Sequence, residues 1–95
     1  MDYHHIVAQG ALGAESARGV LFKVGITVND QVNLVAIKTG LHRRLHTILY
    51  YTMVNKIMEK AFDIKLSYAV NRKTVTTALG RIRGFLLAMS GASPF

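Results

Sequence analysis

The chain predicts an α+β fold, and three observations carry that prediction. Two short stretches rich in β-formers, YHHIVA from Tyr3 and LVAI from Leu34, lie either side of a segment with helical spacing. The run from Leu41 to Phe62 contains no Gly or Pro and repeats large apolar residues every four positions. A further helical pattern extends from Arg72 to Met89. With 95 residues, one Pro and no Pro- or Ser-rich linker, a single domain over 1–95 is expected.

The elements follow in order. Tyr3 to Ala8 reads as a strand, closed by Gly10 and Gly13. Ala14 to Val24 places Ala17, Val20, Leu21 and Val24 on one helix face. Gly25 suits the left-handed cap just past that helix, with Ile26 packing back. Asn29 and Asp30 make a turn, and Asn33 leads into a strand over Leu34–Ile37. Thr39 is expected to cap the next helix, because its hydroxyl can accept from an exposed backbone N–H. The helix from Leu41 to Phe62, about six turns, then presents Leu45, Leu49, Met53 and Ile57 on an inward face. Asp63 to Asn71 is compatible with a strand or a poor helix. Val75, Leu79, Ile82, Leu86 and Met89 line the last helix, which Gly80 and Gly84 each weaken by about 1 kcal/mol relative to Ala. Residues 91–95 read as a loose tail.

Composition narrows the function classes. The absence of Cys removes disulfide frameworks, thiolate zinc sites and thiol nucleophiles. Apolar content of 51% with 18% charged residues supports a packed core rather than disorder. The longest uncharged stretch near the C-terminus, Gly84 to Phe95, falls short of the roughly 20 residues a membrane span needs. Asp2 and a His pair follow Met1 where a secretory signal would carry basic and then apolar residues. Net charge is +7, and it is unevenly placed. From Lys38 onward the basic residues Lys38, Arg43, Arg44, Lys56, Lys60, Lys65, Arg72, Lys73, Arg81 and Arg83 meet only Glu59 and Asp63. That field attracts a polyanion: nucleic acid, an anionic membrane or an acidic protein.

The histidines carry the chemistry. Residues four apart on a helix project from one face, so His42 and His46 can reach one metal ion. The alternative is two partly exposed histidines opening an amphipathic helix. On a strand His4 and His5 point to opposite faces, which divides them into one ligand and one residue aimed elsewhere. Three imidazoles leave a metal position open for water or a phosphate oxygen, and a fourth, free of the metal, could deprotonate water near neutral pH.

The order His4-His5 on a strand, Asn33 opening a second strand, and His42-x-x-x-His46 resembles the ββα-metal (His-Me) finger of the HNH/endonuclease VII superfamily. Within it the chain looks most like the AHH toxin-type branch, and its His-x-x-x-His is similar to that of colicin-type DNases. The resemblance spans roughly Tyr3 to Asn55, and Tyr3 stands where the AHH name expects Ala. It implies a short two-stranded hairpin packed on a long helix, a finger over about 3–62, and a supporting helix over about 72–89. By resemblance, His5 is the general base, and His4, His42 and His46 hold one divalent ion (Zn, Ni, Mn or Mg). Asn33 fixes the loop that orients the base. Arg43, Arg44, Lys38 and Arg18 are the expected phosphate contacts; Arg43 and Arg44 are placed in the first turn of the metal-bearing helix. The implied activity is nonspecific DNA hydrolysis leaving a 5′ phosphate, with no nucleotide cofactor. A His pair so near the start further suggests the C-terminal toxin domain of a secreted antibacterial effector, acting in the target cell's cytoplasm and restrained by an acidic immunity protein. A noncatalytic nucleic-acid-binding module and a ribonuclease on the same finger are the competing readings.

Overall fold

The computed structural model describes residues 1–92, so the end of the expected tail lies outside the described residues. Strand β1 (Asp2–His5) precedes helix α1 (Glu15–Lys23), which a 3-10 turn over Leu12–Ala14 introduces. Strand β2 (Leu34–Ile37) follows a second 3-10 turn, Gln31–Asn33. Helices α2 (Thr39–Leu45), α3 (Ile48–Ala61) and α4 (Tyr68–Ala92) complete the chain. β1 and β2 pair antiparallel, His4 opposite Val35 and His5 opposite Leu34. This is an α+β fold, and β1, β2 and α2 form its ββα unit.

α1 ends as its sequence dictates. Gly25 adopts φ 70°, its N–H bonds the Phe22 carbonyl, and the Ile26 N–H bonds that of Leu21, with Ile26 buried. That double bond pattern is a Schellman cap, open to Gly because a side chain is strained in the left-handed region. A Cβ at Gly25 would also strike the Tyr68 hydroxyl. The Asn29–Asp30 turn forms too, and the Asp30 carboxylate caps the second 3-10 turn by accepting from the Val32 N–H.

Three expectations need correction. β1 stops at His5, and Ile6 to Ala8 continue as irregular, buried chain. Thr39 does not cap α2; its hydroxyl donates to the Asp2 carboxylate at 3.1 Å. The largest difference is the helix expected over Leu41–Phe62, which is two helices broken at His46 and Thr47. His46 sits at φ −80°, ψ 68°, and the Thr47 N–H reaches back to the Leu45 carbonyl at 2.9 Å, an inverse γ-turn. Thr47 then caps α3 by accepting the Tyr50 N–H on its hydroxyl at 3.2 Å. The break turns α3 about its axis. Tyr50, Val54 and Met58 face the core, while Leu49 is 84% exposed and Met53 lies at the solvent edge.

The ambiguous stretch after Phe62 is a turn held by Asn71. Its side-chain oxygen accepts the Asp63 N–H and its amide donates to the Asp63 carbonyl, each at 2.8 Å. α4 starts at Tyr68 and runs through Gly91 and Ala92, longer at both ends than the spacing suggested. Val75, Leu79, Ile82 and Leu86 are buried along it, and Gly80 and Gly84 sit on its exposed side. The Arg83 guanidinium donates to the carbonyls of Gln31, Val32 and Leu34, pinning α4 to β2 and its lead-in turn. Among the described residues no helix is long and apolar enough to cross a membrane.

Candidate metal centre

Alternation along β1 separates its two histidines. His4 faces the interior and is fully buried, whereas His5 is half-buried on the other face. His42 comes from α2, and His46 from the turn just beyond it rather than from the helix expected to carry both. One ring nitrogen from each of His4, His42 and His46 lies within 4.8 Å of the other two.

The partners of the second nitrogens assign lone pairs. The Tyr50 hydroxyl has one proton and donates it to the Ile6 carbonyl at 2.8 Å. It must therefore accept from His4 Nε2, 2.9 Å away, which puts the His4 proton on Nε2. Burial, and then Tyr51, raise the Tyr50 pKa, so the donor stays an O–H. His4 Nδ1 is left with its lone pair, buried and with no hydrogen-bond partner. An orphaned buried acceptor of that kind fits a metal ligand.

His42 has the same logic on the opposite nitrogen. Its Nδ1 lies 3.1 Å from Asp2 Oδ2, and a carboxylate only accepts, so Nδ1 carries the proton and Nε2 the lone pair. His46 Nε2 sits 3.0 Å from that atom, while its Nδ1 meets the Tyr51 hydroxyl at 3.1 Å. Burial, then the charges of His42 and His46, then that of His5, push His4 down to about 4. Burial and the neighbouring His42 lower His46 as well. Low proton affinity keeps these nitrogens available at neutral pH. A set of three imidazoles suits Zn, Ni or Mn better than oxygen-seeking Mg.

His5 is held apart from this group. Its Nε2 donates to Asn29 Oδ1 at 2.7 Å, which leaves Nδ1 as the basic nitrogen. Asn33 makes no hydrogen bond to the His5 ring among the described residues. It is fully buried, accepts the Val7 N–H at 2.8 Å, and donates to the carbonyls of Val7 at 3.1 Å and Val28 at 2.9 Å. Its own carbonyl accepts from Ile6 at 2.8 Å. Asn33 thus ties the chain just after His5 to the turn that carries Asn29.

The expected phosphate contacts fare differently. Arg18 spends its guanidinium on the carbonyls of Ala8 and Ala11, at 2.9 and 2.7 Å, and braces the loop after β1. Arg43 and Arg44 are exposed in the last turn of α2, not its first. Lys38 precedes α2, with its backbone N–H donated to the Ser90 hydroxyl at 2.9 Å.

Asp2, Asn29, Tyr50 and Tyr51 were not singled out as site residues by the sequence. Tyr50 and Tyr51 read as packing residues, and Asn29 as a turn. For Asp2 one signal existed: it lies two residues before His4 on a strand, on the same face.

Two antiparallel strands, α2 and the turn after it gather three imidazoles, an arrangement consistent with the ββα-metal nuclease fold. A family model described as a nuclease family of the HNH/ENDO VII superfamily with conserved AHH matches residues 1–86, and the chain belongs to this AHH family. The match reaches well into α4, beyond the segment whose resemblance the sequence motifs carried. Tyr3, in place of the conserved Ala, is 74% exposed on the strand face away from His4. No curated protein and no solved structure matches the chain.

Proposed function

We propose that this nuclease is a metal-dependent, nonspecific DNA endonuclease, with His4, His42 and His46 as metal ligands and His5 as general base. One observation supports the reading above all: a ring nitrogen from each of three histidines shares one small volume while His5 stands on the opposite strand face, oriented by Asn29. A divalent ion there would polarise a phosphodiester and offset charge on the leaving 3′ oxygen. His5 Nδ1 takes a proton from water, and its Nε2–H bond to Asn29 holds the ring for that transfer. Asn33 keeps the two loops in register. Arg43, Arg44 and Lys38 supply the positive surface for the DNA backbone, a contact that reads no sequence. The 5′-phosphate product, the toxin role in a target cell and an immunity partner belong to the same proposal, and the net charge of +7 favours an acidic surface on that partner.

The test is plasmid nicking. The protein with Mn²⁺, Ni²⁺ or Zn²⁺ is expected to convert supercoiled DNA to nicked and linear forms, EDTA to stop it, and rising salt to weaken it steeply. His5→Ala is expected to abolish cleavage and still bind metal. RNA offered beside DNA separates the ribonuclease reading; cleavage of RNA alone overturns the DNA assignment.

A further inference from the structure

Asp2 is the one carboxylate bonded to the histidine group among the described residues. One oxygen meets His42 Nδ1 and the other accepts from the Thr39 hydroxyl, each at 3.1 Å. The arrangement spans two elements: Asp2 opens β1, while Thr39 and His42 lie three apart on α2, on one side of the helix. Thr39 therefore fixes the carboxylate, and the carboxylate fixes the imidazole.

We propose that Asp2 is the positioning residue of the metal centre: held by Thr39, it locks His42 in the tautomer whose Nε2 is a ligand and lends the site its negative charge. Three neutral imidazoles bring none of their own to a divalent cation. A carboxylate on the far nitrogen makes the imidazole a stronger donor and fixes its ring plane. The inference rests on the metal-binding reading above.

The experiment measures metal affinity by competition with a chromophoric Zn²⁺ chelator, on the full chain. Asp2→Ala is expected to weaken Zn²⁺ binding roughly 10–100-fold, and Thr39→Val to cause a smaller loss in the same direction. ¹⁵N spectra of the imidazoles are expected to show His42 shifting from the Nδ1–H toward the Nε2–H form in Asp2→Ala. Asp2→Glu, which restores the carboxylate, is expected to recover part of the affinity and the tautomer. A merely structural Asp2 would lower the melting temperature and leave the tautomer alone. Equal Zn²⁺ affinity in parent and Asp2→Ala overturns this inference and spares the nuclease reading; a parent that binds no metal overturns both.

A second surface stands on separate observations. α3 and α4 leave between them an open groove of about 730 Å³, with Ile57, Ile82 and Phe85 in its apolar lining. Lys60, Lys73 and Arg81 also line it, and none of the three makes a hydrogen bond or ion pair among the described residues. Phe85 is 59% exposed. Phosphate backbone would satisfy those cations and leave the floor wet. We infer that the groove docks an acidic amphipathic helix of a partner protein, which covers the floor and pairs the cations at once.

Selection from a displayed library of helices, with leucines at i, i+3, i+4 and i+7 and randomised flanks, tests this. Asp and Glu are expected to accumulate at the flanks. Charge reversal at Lys60, Lys73 and Arg81, or Phe85→Ala, is expected to weaken the selected peptides about tenfold or more, as loss of an anchor does. No binders, flanks without acid, or binding indifferent to these substitutions overturns the inference. So does loss of binding to a DNA duplex or of self-association through the same four changes.

Discussion

The Nε2 atoms of His42 and His46 lie 3.0 Å apart. His42 Nε2 accepts there, so in the metal-free chain His46 donates its Nε2–H while the Tyr51 hydroxyl donates to His46 Nδ1; a cation held by both Nε2 atoms replaces that single bond with two coordinate bonds. Zn²⁺ or Ni²⁺ is therefore expected to stabilise the chain strongly. At one hundred times Kd the gain is about 2.7 kcal/mol, roughly 10–20 °C for a domain of this size. His46→Ala is expected to remove most of the metal-induced shift and to change the metal-free melting temperature little, since His46 is exposed. Differential scanning fluorimetry with and without EDTA reads both.

Acid is expected to destabilise the metal-free protein before its carboxylates matter. His4 takes a proton at its ordinary 6.5 when unfolded, but only near 4 when burial and its histidine neighbours act on it. Between those values the unfolded chain binds more protons, so stability falls as pH drops through that window. Above 6.5 the group contributes no pH dependence. The total loss is on the order of 3 kcal/mol, most of it reached by about pH 4 and complete below that. Urea unfolding in EDTA at pH 7.5, 6, 5 and 4 gives the trend, and the His4 imidazole resonances give its origin. A His4 midpoint near 6.5 contradicts the assignment.

What the sequence disclosed and what it hid differ in physical kind. The Gly25 cap, the turn at Asp30 and the α4 stripe are local: cap geometry and helical spacing suffice to read them. The convergence of His4 with His42 and His46 came through the order of motifs rather than through any contact the sequence could show. The break at His46 escaped because Leu45, Leu49, Met53 and Ile57 happen to keep helical spacing across it. Only Thr47, a residue able to cap, marked the interruption. Tyr50 and Asp2 escaped for a different reason. Their roles depend on which ring nitrogen faces which partner, and that is set by tertiary packing across 46 positions in one case and 40 in the other.

Asn33 offers a stability test independent of metal. It satisfies three backbone groups from a fully buried position, so Asn33→Ala leaves those groups without partners. A loss of about 3 kcal/mol is expected in urea unfolding, from unsatisfied donors and acceptors rather than from lost apolar area. Asn33→Asp keeps the acceptor for Val7 but sets a charged oxygen against the Val7 and Val28 carbonyls, and is expected to cost at least as much. A loss below about 1 kcal/mol for either would show that water replaces the side chain there.

Asn29 separates orientation from folding. It is exposed, and its side-chain oxygen holds His5 Nε2 at 2.7 Å. Asn29→Ala removes the acceptor without opening a cavity, so the melting temperature and Zn²⁺ affinity are expected to stay near those of the parent. The His5 ring then turns freely and samples both tautomers, and only the Nε2–H form places the base as in the folded protein. Cleavage is expected to fall roughly tenfold to a hundredfold in kcat, short of the complete loss in His5→Ala, because the base survives and only its aim is lost. Asn29→Asp keeps an acceptor and raises the basicity of His5. Its kcat–pH profile is therefore expected to shift its lower limb to higher pH while recovering part of the rate. Full activity in Asn29→Ala would mean that His5 is oriented by something other than the Asn29 side chain.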